Sequence, residues 1–222
     1  MCSSDLVLAT DVARYALGSP AEPTQGAGAA AVLVSARPAL LEVGPLTGAY
    51  TADVTDFWRP PGRRLPVVNG KQSVAEYLKA LQQCWADYRV RGGQPLTAFA
   101  ALCCHQPFTR LAHKARDRLR RTAGAVNGSA LGRLDAGLAY NRVIGNSYTA
   151  SLFIGLAALL ETTDADLAGE DLLLFAYGSG STGLLFTATV LPCYRGCLAG
   201  SRHRRLLATR RPLDMATYTA FH

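Results

Sequence analysis

The chain has 222 residues, 49% of them hydrophobic, and a formal net charge of +7. That length suits one large domain or two small ones with a sizeable core, and no apolar run reaches the roughly 18 residues of a membrane span. Only Lys71, Lys79 and Lys114 among the 23 basic residues are lysine; the arginine surplus gathers at 114–121 and 202–211 without the interleaved aromatics of a base-stacking surface, so small phosphate-bearing ligands fit it better than nucleic acid.

Met1–Leu6 (MCSSDL) runs straight into an apolar strand, LVLAT. Asp5 and Asp11 flank that run, so it does not form a signal peptide, and a cytoplasmic protein is expected. The first six residues are expected to be a translated remnant of a sequencing adapter, with the natural gene extending upstream. A Gly/Pro-rich turn leads to GAGAAAVLVS (26–35), expected as a buried strand, and ALLEV (39–43) as a short one. Residues 51–72 look irregular. Ser73-Val74-Ala75-Glu76 has the form of a capping box. Val74, Tyr77, Leu78, Leu81, Trp85 and Tyr88 then make one apolar helical stripe that Gly92-Gly93 ends.

Residues 96–104 read as a buried strand, and 107–121 as a basic amphipathic helix with Pro107 in its first turn. Residues 147–161 form a helix apolar on nearly every side, which implies burial all round. Residues 171–177 and 184–191 read as strands about a glycine-rich turn, and 201–222 as basic helix and loop. Strands mixed with helices give an α/β class, and the enclosed helix implies sheet layers on both sides of it.

Three motifs carry the chemistry. The first is Cys103-Cys104-His105-Gln106-Pro107-Phe108. Neighbours on a strand point to opposite faces, so Cys104 and His105 do not share a site. Cys103 shares the histidine's face but lies inside the apolar run, short of a nucleophile–base pair. His105, at a strand end before a helix, is placed to enter a pocket. The second motif is Gly178-Ser179-Gly180-Ser181-Thr182-Gly183. It has the G-x-G-x-x-G form, but the next segment is a strand, so no helix N-terminus receives a pyrophosphate. A strand–turn–strand that brings backbone close to a ligand remains. The third is Asn146, just before the apolar helix, which either caps that helix or offers its amide to a ligand; the residues alone favour the cap. The six cysteines form no CxxC pair. Cys193, Cys197 and His203 are a sparse set for a metal, and reduced, mostly buried thiols are expected instead.

Taken in order, ATDVARY, EPTQGAGA, TDFWRP, VVNGKQS, CCHQPFTRLAHKA, YNRVIGNSYTASLFIGL and FAYGSGSTG resemble the hydroxymethylglutaryl-CoA synthase family over nearly the whole chain, most closely its bacterial mevalonate-pathway form. The resemblance implies a thiolase-like layered αβαβα fold, here in part. Residues 1–50 would close a first half, and 51–222 would make most of a second half that ends short. It implies a cysteine acetylated by acetyl-CoA, a glutamate that removes a methyl proton, and attack of the carbanion on acetoacetyl-CoA. Both CoA thioesters are substrates, with no further cofactor and no metal. His105 matches the histidine that binds and polarises the acetoacetyl group. Asn146 and Ser179 match contacts to the acyl chain, and Thr24 and Ser73 match substrate-contacting positions. Arg110 and Lys114 match cations near CoA, and Asp56 of TDFWRP matches a residue that shapes the pocket. The family's cysteine and glutamate lie upstream of the segment that LVLATDVARY matches, so the chain alone is expected to be inactive. A homodimer is implied for the full-length protein, with no nucleic-acid or membrane partner. A polyketide-branching relative with a carrier-bound acceptor, a β-ketoacyl-ACP synthase III-like enzyme and a non-catalytic acyl-CoA-binding protein are the competing readings.

Overall fold

The computed structural model describes residues 4–125 and 131–222, so Cys2 lies outside the described residues. Two strands, β1 (Ser4–Ala13) and β2 (Gly26–Ser35), pair antiparallel as a ribbon. Next come β3 (Leu41–Thr51), the short pair β4 (Phe57–Trp58) and β5 (Val67–Val68), and the long helix α1 (Gly70–Val90). Strand β6 (Phe99–Cys104) leads into α2 (Thr109–Thr122). The one-turn α3 (Asn141–Ile144) precedes α4 (Ala150–Thr162), and β7 (Asp171–Gly178) and β8 (Thr182–Val190) form a hairpin. Three short helices follow: α5 (Tyr194–Leu198), α6 (His203–Ala208) and α7 (Met215–Phe221).

The main sheet has the order β3-β8-β7-β6, with β6 parallel to β7 and the other pairs antiparallel. Helices cover both faces. On one face, Tyr77, Leu81, Trp85 and Leu119 of α1 and α2 pack on Leu102, Cys104, Leu173, Phe175 and Leu185. On the other, Leu152, Leu159 and Leu160 of α4 pack on Ala101, Cys103, Leu172 and Leu174. The far side of α4 meets the ribbon, where Ala9 and Ala30 lie against Ala150, Ile154 and Ala158. The helix therefore sits between two sheet layers, as its all-round apolar sequence implies. The alternation at 103 and 104 holds too: the two thiols enter opposite cores.

Several expected boundaries move. Helix α1 begins at Gly70, and its cap is Asn69, not Ser73. The Asn69 side chain accepts from the Gln72 amide at 3.4 Å and donates to the Gln72 side chain at 3.1 Å. The Asn69 side chain thus satisfies one backbone donor of the first turn, while the Asn69 amide itself donates to the Asp56 carbonyl at 2.8 Å. Helix α2 begins at Thr109, leaving Pro107 outside it. Helix α4 begins at Ala150 because Tyr148 has φ of 47°, which is incompatible with a right-handed helix. The segment 96–104 is a short 3₁₀ turn followed by β6. Strand β2 is not buried: its residues alternate between half-buried and exposed. Strand β3 is longer than 39–43 and hydrogen-bonds to β8, so it belongs to the main sheet although it precedes residue 51. No helix among the described residues is long and apolar enough to cross a membrane.

Candidate active site

His105 stands at the C-terminal end of β6, 8% exposed. Its backbone is clamped on both sides: its amide donates to the Phe175 carbonyl at 2.8 Å, and its carbonyl accepts from the Tyr77 hydroxyl at 2.8 Å. The imidazole Nδ1 lies 3.1 Å from Ser151 Oγ, and that oxygen accepts the Gln106 amide at 2.9 Å. The rings of Tyr77 and Tyr177 lie 6.5 and 6.3 Å from the imidazole. Burial pulls the histidine down to about 4, partly offset by a backbone bond to Tyr148. The ring is therefore neutral at neutral pH and suited to share a hydrogen bond rather than to carry charge.

Asn146 reaches the same place through Tyr148. Its Oδ1 accepts the Tyr148 amide at 2.9 Å, and its Nδ2 donates to the Tyr15 hydroxyl at 2.9 Å. It is thus not the cap of α4. The side chain fixes the Tyr148 turn and keeps one N–H unspent. Gly145, with φ of 81°, sets up this turn: a Cβ there would fall 2.0 Å from the Gln25 carbonyl oxygen. That close approach brings the Thr24 segment in, and the Asn146 amide donates to the Thr24 carbonyl at 2.9 Å. The Thr24 hydroxyl itself is spent on Ala21 O at 2.7 Å.

A polar nest surrounds Tyr177. Burial raises its hydroxyl, the Ser181 hydroxyl lowers it without reaching hydrogen-bond geometry, and Asp56, Ser179 and Glu76 act on it further. Asp56 is fully buried, yet neither of its carboxylate oxygens has a hydrogen-bond partner. Tyr177 Oη and Ser181 Oγ are also buried and without hydrogen-bond partners, whereas Glu76 Oε2 lies 3.6 Å from Lys79 Nζ as an ion pair. Buried polar atoms are normally satisfied, so a group of them around Tyr177, whose ring lies 6.3 Å from His105, marks where a polar ligand would gain most. Ser179 is exposed at the β7–β8 turn, and Ser73 is half-buried on the first turn of α1. Arg110 and Lys114 are both exposed, four residues apart on one side of α2.

The three buried cysteines are not built as nucleophiles. Burial pushes Cys84 and Cys104 up to about 12, and Cys103 higher still. Thiols so raised carry almost no thiolate. Cys193 and Cys197 are exposed, against the expectation of mostly buried thiols for that pair, and both sulfurs approach the Ala39 carbonyl oxygen, at 3.3 and 3.7 Å. No cluster of three or more potential metal ligands exists among the described residues. Sequence reasoning missed Ser151, Tyr77 and Tyr177. The first was hidden in the apolar pattern of α4, and the two tyrosines looked like ordinary core aromatics.

A helix enclosed between two sheet layers, with a buried histidine at a strand end facing a glycine-rich hairpin, defines a thiolase-like condensing-enzyme fold. The comparisons narrow the class. The family profile described as hydroxymethylglutaryl-coenzyme A synthase C terminal matches residues 41–131 and 128–193. A hydroxymethylglutaryl-CoA synthase of Enterococcus faecalis is 38% identical over 97% of this chain and 56% of its own length. The crystal structure of an HMG-CoA synthase complexed with CoA superposes with a TM-score of 0.90 at 39% identity, covering 98% of this chain and 56% of that one. The polyketide biosynthesis 3-hydroxy-3-methylglutaryl-ACP synthase PksG of Bacillus subtilis is 29% identical over 94% of this chain and 52% of its length. The chain belongs to the hydroxymethylglutaryl-CoA synthase family, and it spans little more than half the length of these relatives.

Proposed function

We propose that this chain carries the acceptor half of a hydroxymethylglutaryl-CoA synthase, which condenses acetyl-CoA with acetoacetyl-CoA to 3-hydroxy-3-methylglutaryl-CoA. The observation that carries the reading is the neutral, clamped His105 beside the unsatisfied Tyr177 nest, in a chain of that family. A hydrogen-bond donor fixed where negative oxygen develops stabilises the addition without reorganising. In this reading His105 holds the acceptor ketone and the remaining Asn146 N–H meets the acyl chain. Ser179, Ser73 and Thr24 border the substrate, Asp56 shapes the pocket, and Arg110 and Lys114 meet phosphates at the rim. The acetyl-carrying cysteine and the glutamate base belong to the part of the relatives' length that this chain does not match.

The pairing of β3 with β8 supports a division ahead of residue 41, with the ribbon closing one thiolase-like half and residues from 41 onward forming the second. The mevalonate pathway, a cytoplasmic setting, a homodimer and the absence of a further cofactor come with the family resemblance. The likeness to PksG supports a second reading, in which the acceptor is carried by a protein-bound phosphopantetheine; the rim cations suit that phosphate equally.

A coupled assay of acetyl-CoA and acetoacetyl-CoA consumption tests the proposal. Residues 1–222 alone are expected to give no turnover, because the buried thiols Cys84, Cys103 and Cys104 lack activation and the resemblance sets the acetylated cysteine outside the matched segment. Joined to the preceding segment of a relative, the chain should turn over, and faster with the CoA acceptor than with a carrier-bound one. Turnover by residues 1–222 alone would contradict the division of labour, and a preference for the carrier would favour the second reading.

A further inference from the structure

Ser151, on α4, places its hydroxyl against Nδ1 of His105. It is fully buried. Its Oγ serves two consecutive residues, accepting the Gln106 amide at 2.9 Å and lying 3.1 Å from His105 Nδ1. The backbone around it is fixed: the Ser151 carbonyl accepts from Asn141 Nδ2 at 2.8 Å, and the Ser151 amide donates to the Tyr148 carbonyl at 3.0 Å. Gln106 is fixed in turn, its Nε2 donating to the Gly137 carbonyl at 3.2 Å. Gly155, one helical turn beyond Ser151, makes room for that amide, since a Cβ there would lie 2.6 Å from Gln106 Nε2. The hydroxyl is therefore immobile, unlike an ordinary serine rotor.

We propose that Ser151 is a positioning residue. It holds the imidazole by Nδ1, which turns Nε2 away from α4 and assigns that nitrogen to the acceptor carbonyl. This rests on the reading of His105 as the acceptor-binding group. A buried ring without such a partner rotates about its Cβ–Cγ bond, and a displacement of the donor by an ångström weakens the bond it makes to the substrate. Two structural alternatives are open to test. In one the hydroxyl serves only Gln106, as a plug for a buried amide; in the other the Tyr148 backbone contact alone holds the ring.

The experiment uses residues 1–222 with ¹⁵N-labelled histidine, as wild type and Ser151→Ala. The Nδ1 and Nε2 resonances and their pH titration are followed for His105, with His113, His203 and His222 as internal controls. Acetoacetyl-CoA affinity is measured by calorimetry on the same samples and on His105→Ala. The expected result is a shift of the His105 ring resonances alone, with affinity reduced about tenfold, the scale of one lost hydrogen bond. Unchanged His105 resonances in a folded Ser151→Ala chain would overturn the proposal, as would shifted resonances with unchanged affinity. If His105→Ala leaves affinity unchanged, the acceptor reading fails, and the ring resonances alone then decide whether Ser151 holds the imidazole. Should Ser151→Ala not fold, Ser151→Cys replaces it, keeping the shape with a much weaker hydrogen-bonding group.

Discussion

The main sheet and the β1–β2 ribbon use the same sequence code and end in opposite environments. In β7, Leu172, Leu173 and Phe175 are fully buried, and helices lie over both faces. In the ribbon, Leu6, Leu8 and Leu33 stand 63, 68 and 66% exposed. Small residues make the contact with α4: Ala9 and Ala30 pack there, and Gly28 approaches Ile154. Apolar content thus sets the strand, while the surrounding layers set what the strand contributes to stability. His105, Ser151 and Tyr177 gather at the end of the sheet that is packed from both sides, where burial neutralises His105 and the neighbouring backbone holds it still.

The largest expected effect tests that contrast directly. Phe175→Ala should cost about 3–5 kcal/mol, the loss of a buried aromatic and the cavity left behind. Leu8→Ala should stay within about 0.5 kcal/mol, as for other exposed positions. Urea unfolding of both variants measures this, and equal losses would erase the distinction between the two regions.

Acid should single out the packed end next. His105 is pulled from 6.5 to about 4 in the folded chain. Between those values the unfolded chain binds a proton that the folded chain does not, so stability rises with pH through this window and falls as pH drops from 6.5 to 4. The loss attributable to this residue is about 3 kcal/mol. It should disappear in His105→Gln, so the difference in unfolding free energy between the two chains should change across that window. A pH-independent difference would mean that the ring is already solvated.

Smaller again is the effect of crowding beneath the histidine. Gly155→Ala places a Cβ 2.6 Å from Gln106 Nε2 and 3.1 Å from the Gly137 carbonyl oxygen. It should cost about 1–3 kcal/mol, whereas Gly200→Ala, with nothing within 4 Å, should be near neutral. The smallest effect is kinetic. A thiol reagent should modify Cys193 and Cys197 readily in the native chain, and Cys84, Cys103 and Cys104 only on unfolding. Rapid native modification of Cys103 or Cys104 would show that the sheet interior opens.

Much of this was legible in the residues, for identifiable reasons. The place of His105 at a strand end was legible because the apolar run stops there before a helix, and period-two alternation separated it from Cys104. The enclosed α4 was legible because no face of it is polar. The ribbon's exposure was not, since a strand's pattern says nothing of what covers it. The cap of α1 was ambiguous between two signals one turn apart, and Asn69 wins because Gln72 answers it. Asn146 was misjudged as a cap because the left-handed turn at Tyr148, which its side chain supports, cannot be read from composition. Ser151, Tyr177 and the unsatisfied Asp56 meet only through tertiary folding, so no local pattern announces them.

The central claim is that His105 holds the acceptor thioester. Calorimetry of acetoacetyl-CoA and of CoA itself, on wild type and His105→Ala, tests it most directly. The account predicts that acetoacetyl-CoA binds more tightly than CoA to the wild-type chain, and that His105→Ala removes most of that difference while leaving CoA affinity unchanged. Equal loss of both ligands, or no loss of either, would contradict it.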